Sequence, residues 1–162
     1  MLNFQDQIIP FLDALFACIK ADKIDVSQLE LDHICYRVAT EESYQEMKAF
    51  LEKKATLLSE TMINQRPICS FRLSEPLMYK KRAIWVLELP SPKAGSPYAE
   101  GFEHVEFVVN EPLDVFVQRH QYLTFDTKGF SKKVNRDVRR QYACGSVKFH
   151  EHSLEYVIRE LD

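Results

Sequence analysis

Hydrophobic residues recur at intervals of three and four positions through the first twenty residues, which is the period of an α-helix. Pro10 lies inside this stripe and lacks the N–H that an interior helical turn needs, so we expect a kink there or the start of a second helix. We assign residues 1–30 to an N-terminal helical segment that covers the core from outside. The apolar positions of the stripe are Phe4, Ile8, Phe11, Leu12, Leu15, Phe16 and Ile19.

Residues 31–89 change between strand-like and helical patterns and predict the order strand, helix, strand, strand, strand. Thr40 and the acidic residues after it predict the start of the helix, which we expect to end near Lys54. A turn is expected at Ser74-Glu75-Pro76. The predicted strands cover residues 31–38, 56–63, 67–73 and 83–89.

The same order of elements restarts after a linker. Residues 90–101 contain three of the seven prolines and predict that linker. In residues 102–162 a helix is expected to begin at Glu111-Pro112, and Ser153 is expected to cap a last helix. The predicted strands of this second half cover residues 102–109, 123–125, 140–144 and 146–150, and the middle of the half is the least regular part.

Two β-α-β-β-β modules in one chain indicate an α+β fold. A single module leaves one face of its sheet exposed, and two copies can cover that face by wrapping around a shared cleft. We therefore predict one domain over residues 1–162, in which paired modules form a cupped, open barrel of mixed sheet with the helical segment added.

Composition and charge exclude several classes of protein. The chain is 46% hydrophobic and 28% charged, which is typical of a globular domain. The net charge of −3 argues against nucleic acid as the partner. Since the N-terminus resembles no signal peptide and no apolar run reaches the roughly 18 residues of a membrane span, we expect a cytoplasmic protein without a membrane partner. A small-molecule ligand is the expected partner, and a homodimer stays open.

Two similar strands suggest a metal site. Asp32-His33 and Glu103-His104 each place an acid and a histidine near the start of a strand, and the two histidines are 71 positions apart. If the two halves pair face to face, these histidines meet. Imidazole and carboxylate groups held on stiff strands are favoured ligands of divalent transition metals, so a metal site is the leading hypothesis.

Carboxylates and a further histidine complete the candidate set. Glu88 lies in an apolar strand, where an unpaired carboxylate is costly to bury, so we expect it to meet a cation or another donor. The fourth ligand is either His150 or Glu155. We favour His150, because the segment after Ser153 has a helical pattern that would carry Glu155 away from the cleft.

The remaining candidates concern a substrate. Glu106 shares a strand face with His104 and is the candidate general base, with the orientation of a ligand as its alternative role. Arg66, Arg72 and Lys148 are candidates for binding a substrate carboxylate or phosphate, and solvated surface cations are the alternative.

Several short motifs resemble the YecM family of bacterial proteins, within the vicinal oxygen chelate superfamily of glyoxalases, bleomycin resistance proteins and dioxygenases. These motifs extend over most of the chain after residue 31. They are Asp32-His33-Ile34, Leu57-Leu58-Ser59-Glu60, Met62-Ile63-Asn64, Arg66-Pro67-Ile68-Cys69, Glu88-Leu89-Pro90, Gly101, Glu103-His104, Val147-Lys148-Phe149-His150 and Ser153.

The resemblance implies a cupped barrel that holds a divalent metal ion, such as Zn, Ni, Mn or Fe, through His33, Glu88, His104 and a fourth residue. The superfamily usually places a glutamate on its eighth strand, where this chain has Lys148 and His150. An isomerase, epimerase, lyase or dioxygenase acting on a small oxygen-rich metabolite is the implied class of enzyme. The alternative is a non-catalytic protein that binds a small molecule in the same cleft.

Overall fold

The strands of the described chain form one mixed sheet of seven strands. The structure, a computed structural model, describes residues 3–95 and 97–161. The strands are β1 (Glu30–Arg37), β2 (Ala55–Ile63), β3 (Arg66–Tyr79), β4 (Arg82–Pro90), β5 (Gly101–Val108), β6 (Asp137–Tyr142) and β7 (Gly145–His150). The helices are α1 (Phe4–Ala21), α2 (Glu41–Glu52), α3 (Leu113–Arg119) and α4 (Leu154–Glu160), with a short 3-10 helix at Lys128–Ser131.

The two halves of the chain meet at the centre of this sheet, whose strand order is β2-β3-β4-β1-β5-β7-β6. In each half the first strand pairs parallel with the last one, β1 with β4 and β5 with β7. An antiparallel pairing of β1 with β5 joins the halves. The predicted α+β class, with an open mixed sheet and an added N-terminal helix, is confirmed.

Helix α1 is continuous through Pro10 and packs against strands of both halves. Its buried residues are those of the predicted stripe, among them Ile8, Leu12 and Leu15. Pro10 lies on the exposed face of the helix, where water can solvate the backbone group left without a partner. The expectation of a second helix starting at Pro10 is therefore wrong.

Two further local expectations differ from the structure. Ser74-Glu75-Pro76 forms no turn but lies within β3, where the pairing with β4 shifts between Arg72 and Leu77. A proline is tolerated at such a bulge because it has no N–H to donate to the ladder. No strand forms at residues 123–125 of the described chain, and only an isolated bridge joins Asp126 to Arg139. The second half therefore contributes three strands and the first half four.

The pairing of β1 with β5 determines which side chains share a face of the sheet. His33 lies opposite Glu106 and Cys35 lies opposite His104. His33 and His104 are 71 positions apart, and so are Cys35 and Glu106, so the two pairs correspond in the internal repeat. Residues between them, such as Ile34 and Val105, point the other way into the apolar core beside α1. We call the paired strands β1 and β5 the seam, and the candidate site lies on its polar face.

A membrane-spanning helix is absent from the described chain: α1 to α4 include none that is both long and apolar enough to cross a bilayer.

Candidate metal centre

A β-bulge precedes each histidine of the central seam. The pairing of β1 with β5 shifts between Leu31 and His33, and again between Cys35 and Tyr36, which leaves Asp32 and Glu103 as the extra residues of their strands. Neighbouring residues on a regular strand point to opposite faces, but a bulge redirects one of them. Each acid can therefore lie beside the histidine that follows it.

Both histidines are oriented by these acids. The Nδ1 atom of His33 donates to Asp32 Oδ2 at 2.8 Å, and Nδ1 of His104 donates in the same way to Glu103 Oε2. An ionised carboxylate only accepts, so Nδ1 is the protonated atom of each ring. The Nε2 atom is then the one that faces the opposite direction and is available as a ligand.

Three ligand-type atoms meet between the two strands. Nε2 of His33 and Nε2 of His104 lie 3.4 Å and 3.3 Å from Oε1 of Glu106. Both nitrogen atoms are buried and make no hydrogen bond within the described chain, although a buried polar atom normally has a partner. Two imidazoles and one carboxylate are a ligand set that suits a divalent transition metal. The residues present therefore fit the metal that the sequence predicted.

Charge pairs stabilise this cluster. The Lys148 ammonium donates to Glu106 Oε1 at 2.8 Å. Burial alone would raise the pKa of Glu106, but the Lys148 ammonium and the His33 imidazolium hold it well below the usual range. Burial alone would lower the pKa of His33, but the Glu106 and Asp32 carboxylates raise it to about 10. In the metal-free protein Nε2 of His33 therefore also carries a proton, which a bound divalent ion would displace. Glu106 is therefore an ionised carboxylate and a weak proton acceptor.

His150 lies at the other oxygen of Glu106. Its Nδ1 atom is 3.3 Å from Glu106 Oε2 and accepts a hydrogen bond from Asn135 Nδ2 at 3.1 Å. Its Nε2 atom is 3.2 Å from Asp32 Oδ2. His150 thus groups with Asp32 and His33, beside the cluster formed by His33, His104 and Glu106.

Glu88 and Lys148 occupy corresponding positions in the two halves. Glu88 on β4 pairs with Cys35, and Lys148 on β7 pairs with Glu106. Cys35 and Glu106 occupy corresponding positions on β1 and β5, 71 residues apart. Lys148, the neighbour of Glu106, is therefore the second-half counterpart of Glu88, the neighbour of Cys35. Sequence spacing could not reveal this, since the second half is shorter by a strand. Glu88 Oε1 lies 3.8 Å from His104 Nε2.

These side chains surround a cavity of about 400 Å³ on the polar face of the seam. Of the residues predicted from the sequence to bind substrate, Arg66 and Lys148 line this central cavity. Arg72 instead pairs with Glu155 outside it. The other predicted site residues at the cavity are His33, Glu88, His104, Glu106 and His150.

Sequence reasoning missed several residues at the site. Asp32 and Glu103 are the acids that precede the two histidines, but the alternation of a regular strand would turn their side chains away from the site. Asn135, which donates to His150, lies in an irregular segment that gives no periodic signal. Arg37 also lines the central cavity, and its position two residues after Cys35 could have indicated this.

The family model described as "YecM protein" matches residues 3–142. The chain belongs to the YecM family. Protein YecM of Escherichia coli K12 is 34% identical over 99 residues, which cover 61% of this chain and 53% of that protein. The matched regions span about half the length of the two curated relatives from Haemophilus influenzae and Escherichia coli.

Two solved structures share the fold of this chain. A structural genomics protein, EC4020, is 26% identical with a TM-score of 0.83, and the match covers 100% of this chain and 98% of that one. Methylmalonyl-CoA epimerase, solved with methylmalonyl-CoA and NH4+, is 10% identical with a TM-score of 0.53 over 78% of this chain and 96% of that one. The second match shows the fold alone. The predicted membership of the YecM family, with a vicinal oxygen chelate fold, is confirmed.

Proposed function

We propose that this YecM-family protein is a divalent-metal-dependent enzyme of the vicinal oxygen chelate type, with a small oxygen-rich metabolite as its substrate. Isomerases, epimerases, lyases and dioxygenases are the reaction classes that this architecture serves. The observation that supports the proposal most is the pair of buried, unpartnered Nε2 atoms of His33 and His104, both within 3.4 Å of Glu106 Oε1.

We assign the metal to His33, His104 and Glu106, with Asp32 and Glu103 as the residues that orient the two imidazoles. The sequence suggested Glu88 and His150 as ligands and Glu106 as the base. We exchange the roles of the two glutamates, because the Lys148 ammonium at 2.8 Å makes Glu106 a weak base but leaves it a suitable anionic ligand. A set of two histidines and one carboxylate leaves coordination positions open for a substrate.

A divalent ion bound there supplies a Lewis acid for neighbouring oxygen atoms of a substrate. Glu88 is the residue we assign to proton transfer. Its side chain lines the central cavity beside His104 and makes no hydrogen bond in the described part of the chain. Because no hydrogen bond occupies its oxygen atoms, they can reach a proton of a molecule bound in the cavity. His150 lies beside the second oxygen of Glu106, and Asn135 fixes the orientation of the His150 ring.

Elemental analysis of the protein, purified without a histidine tag and then reloaded with Zn, Ni, Mn or Fe, tests the assignment. We expect one ion per chain in the wild type. Glu106→Gln should lose the ion, whereas the matched variant Glu88→Gln should keep it. Retention by Glu106→Gln together with loss by Glu88→Gln would restore the roles suggested by the sequence.

A wild-type chain that retains no divalent ion after reloading would overturn the proposed function altogether. Screening of the loaded protein for epimerase, lyase and ring-opening activities then identifies the reaction. A loaded protein that binds ligands but turns none over is a binding protein that uses the same cavity.

A further inference from the structure

We propose that the ligand of the central cavity is a small organic anion whose carboxylate or phosphate group is held by Arg37 and Arg66. This inference rests on the proposed function, since it names the substrate class of the same site. It is drawn from the arginine side chains of the cavity rim, which the metal assignment does not use.

Arg66 is an arginine without an acidic partner. Of the arginines in residues 3–95 and 97–161, only Arg66 and Arg82 have no carboxylate partner, and Arg82 donates to the backbone carbonyls of Val26 and Leu29. Arg66 lines the central cavity and donates through Nη1 to the carbonyl of Ser91 at 2.8 Å. A guanidinium offers five N–H donors, so most of those of Arg66 remain for a ligand.

Arg37 lies on the same rim. It follows His33 and Cys35 on one face of β1, and its Nε atom is buried without a hydrogen bond in the described chain. Glu103 is 3.6 Å from this atom, which is beyond ordinary hydrogen-bonding distance. An anion that entered the cavity would give this buried donor the partner it lacks.

Tyr98 of the linker holds the two arginines together. The Arg37 guanidinium stacks on the Tyr98 ring at 4.5 Å, and Arg66 Nη1 lies 3.5 Å from the Tyr98 hydroxyl. Two guanidinium groups that share one aromatic neighbour are suited to a planar or tetrahedral oxyanion, which they can bind through paired hydrogen bonds.

The rim is connected directly to the metal centre. Glu103 pairs with Arg37 and also accepts from His104, so the charged group of a bound ligand would lie near the coordinating imidazole. A cavity of about 400 Å³ is small for a ligand pocket. The geometry therefore suits a short molecule with its acid group at the rim and its other oxygen atoms near His104.

The test compares lactate, propane-1,2-diol and inorganic phosphate by isothermal titration with metal-loaded and metal-free protein. Lactate has an acid group beside its hydroxyl, whereas the diol has neighbouring oxygens without a charge. We expect lactate to bind and the diol not to bind at the same concentration. Binding of phosphate in preference to lactate would identify a phosphate head group, which the proposal includes. Equal binding of the diol would overturn it.

Arg66→Gln should weaken anion binding by roughly tenfold or more, because charged hydrogen bonds are lost. Arg72→Gln is the matched control, since Arg72 pairs with Glu155 outside the cavity, and it should leave binding unchanged. Arg66→Lys keeps the positive charge and provides the same binding test if Arg66→Gln fails to fold. Its binding should also fall, because an ammonium cannot form the paired hydrogen bonds.

The two proposals fail in different ways. If no ion loads but metal-free protein binds lactate or phosphate through Arg66, the proposed function fails and the anion site stands. If the ion loads and Arg66→Gln binds both anions as tightly as the wild type, the anion site is overturned.

Discussion

The two halves of the protein share a backbone design and differ in their chemistry. Each half has a bulged acid directly before a histidine, and the pairing of β1 with β5 brings the two histidines together. At the corresponding position on the outer strand, the first half has Glu88 and the second has Lys148. The duplicated scaffold thus places side chains at corresponding positions of the two halves, while single substitutions give those positions opposite charges.

Replacing Lys148 by the residue of the other half should give the largest effect. In Lys148→Glu the buried Glu106 loses its ammonium partner and gains a neighbouring negative charge, so we expect the metal-free protein to lose roughly 3 kcal/mol of unfolding free energy. Excess Zn²⁺ should restore part of the loss by binding the folded state. Urea unfolding with and without zinc measures both effects.

Glu88→Gln is the control in the first half, because Glu88 makes no hydrogen bond in the described chain. Its unfolding free energy should change by less than about 1 kcal/mol. If Lys148→Glu is no less stable than Glu88→Gln, the two positions are energetically alike and the contrast between the halves is wrong.

Two glycines at the starts of β5 and β7 give a second, smaller contrast. Gly101 has a φ of 144° with open space around it, whereas Gly145 has a φ of 148° and its Cβ position would lie 2.5 Å from the carbonyl oxygen of Glu103. Gly101→Ala should therefore cost about 1 kcal/mol of backbone strain, and Gly145→Ala about 3 kcal/mol. Urea unfolding of both variants checks the order, and equal costs would show that β7 can move away from the bulge at Glu103.

The two orienting acids are expected to differ least from each other. Asp32→Asn and Glu103→Gln should each lower metal affinity by roughly 10- to 100-fold, because the imidazoles lose the carboxylates that direct them. The loss should be greater for Asp32→Asn, since Asp32 also accepts from the backbone N–H of Leu154 at 2.9 Å and lies beside His150. Competition with a chelator of known affinity measures both, and unchanged affinity in either variant would contradict the orienting role.

Much of the fold could be predicted from local pattern. The stripe of α1 and the strand that contains His33 follow from short-range periodicity, and the correspondence of the two halves follows from similar motifs 71 positions apart. Helix α1 remains one helix because Pro10 lies on its exposed face. Ser74-Glu75-Pro76 has the composition of a turn, but the long pairing of β3 with β4 overrides that preference and converts it into a bulge.

The site was less predictable, because it depends on register between distant strands. His33, His104 and Glu88 could be selected by residue type and strand position. The correspondence of Lys148 with Glu88 could not, since it requires the pairing of β7 with β5 rather than distance along the chain. The bulges at Asp32 and Glu103 have no signal in single-strand periodicity either, so the orienting acids emerged only from the three-dimensional arrangement.

The seam between β1 and β5 also bears on how such an asymmetric site can arise in evolution. A half-length ancestor that paired with a second copy of itself along β1 would repeat every mutation on both sides of the seam. A cationic residue at the outer position would then replace both carboxylates at once. Fusion of the two copies into one polypeptide lets the sides diverge separately, so that one keeps Glu88 while the other has Lys148 beside Glu106.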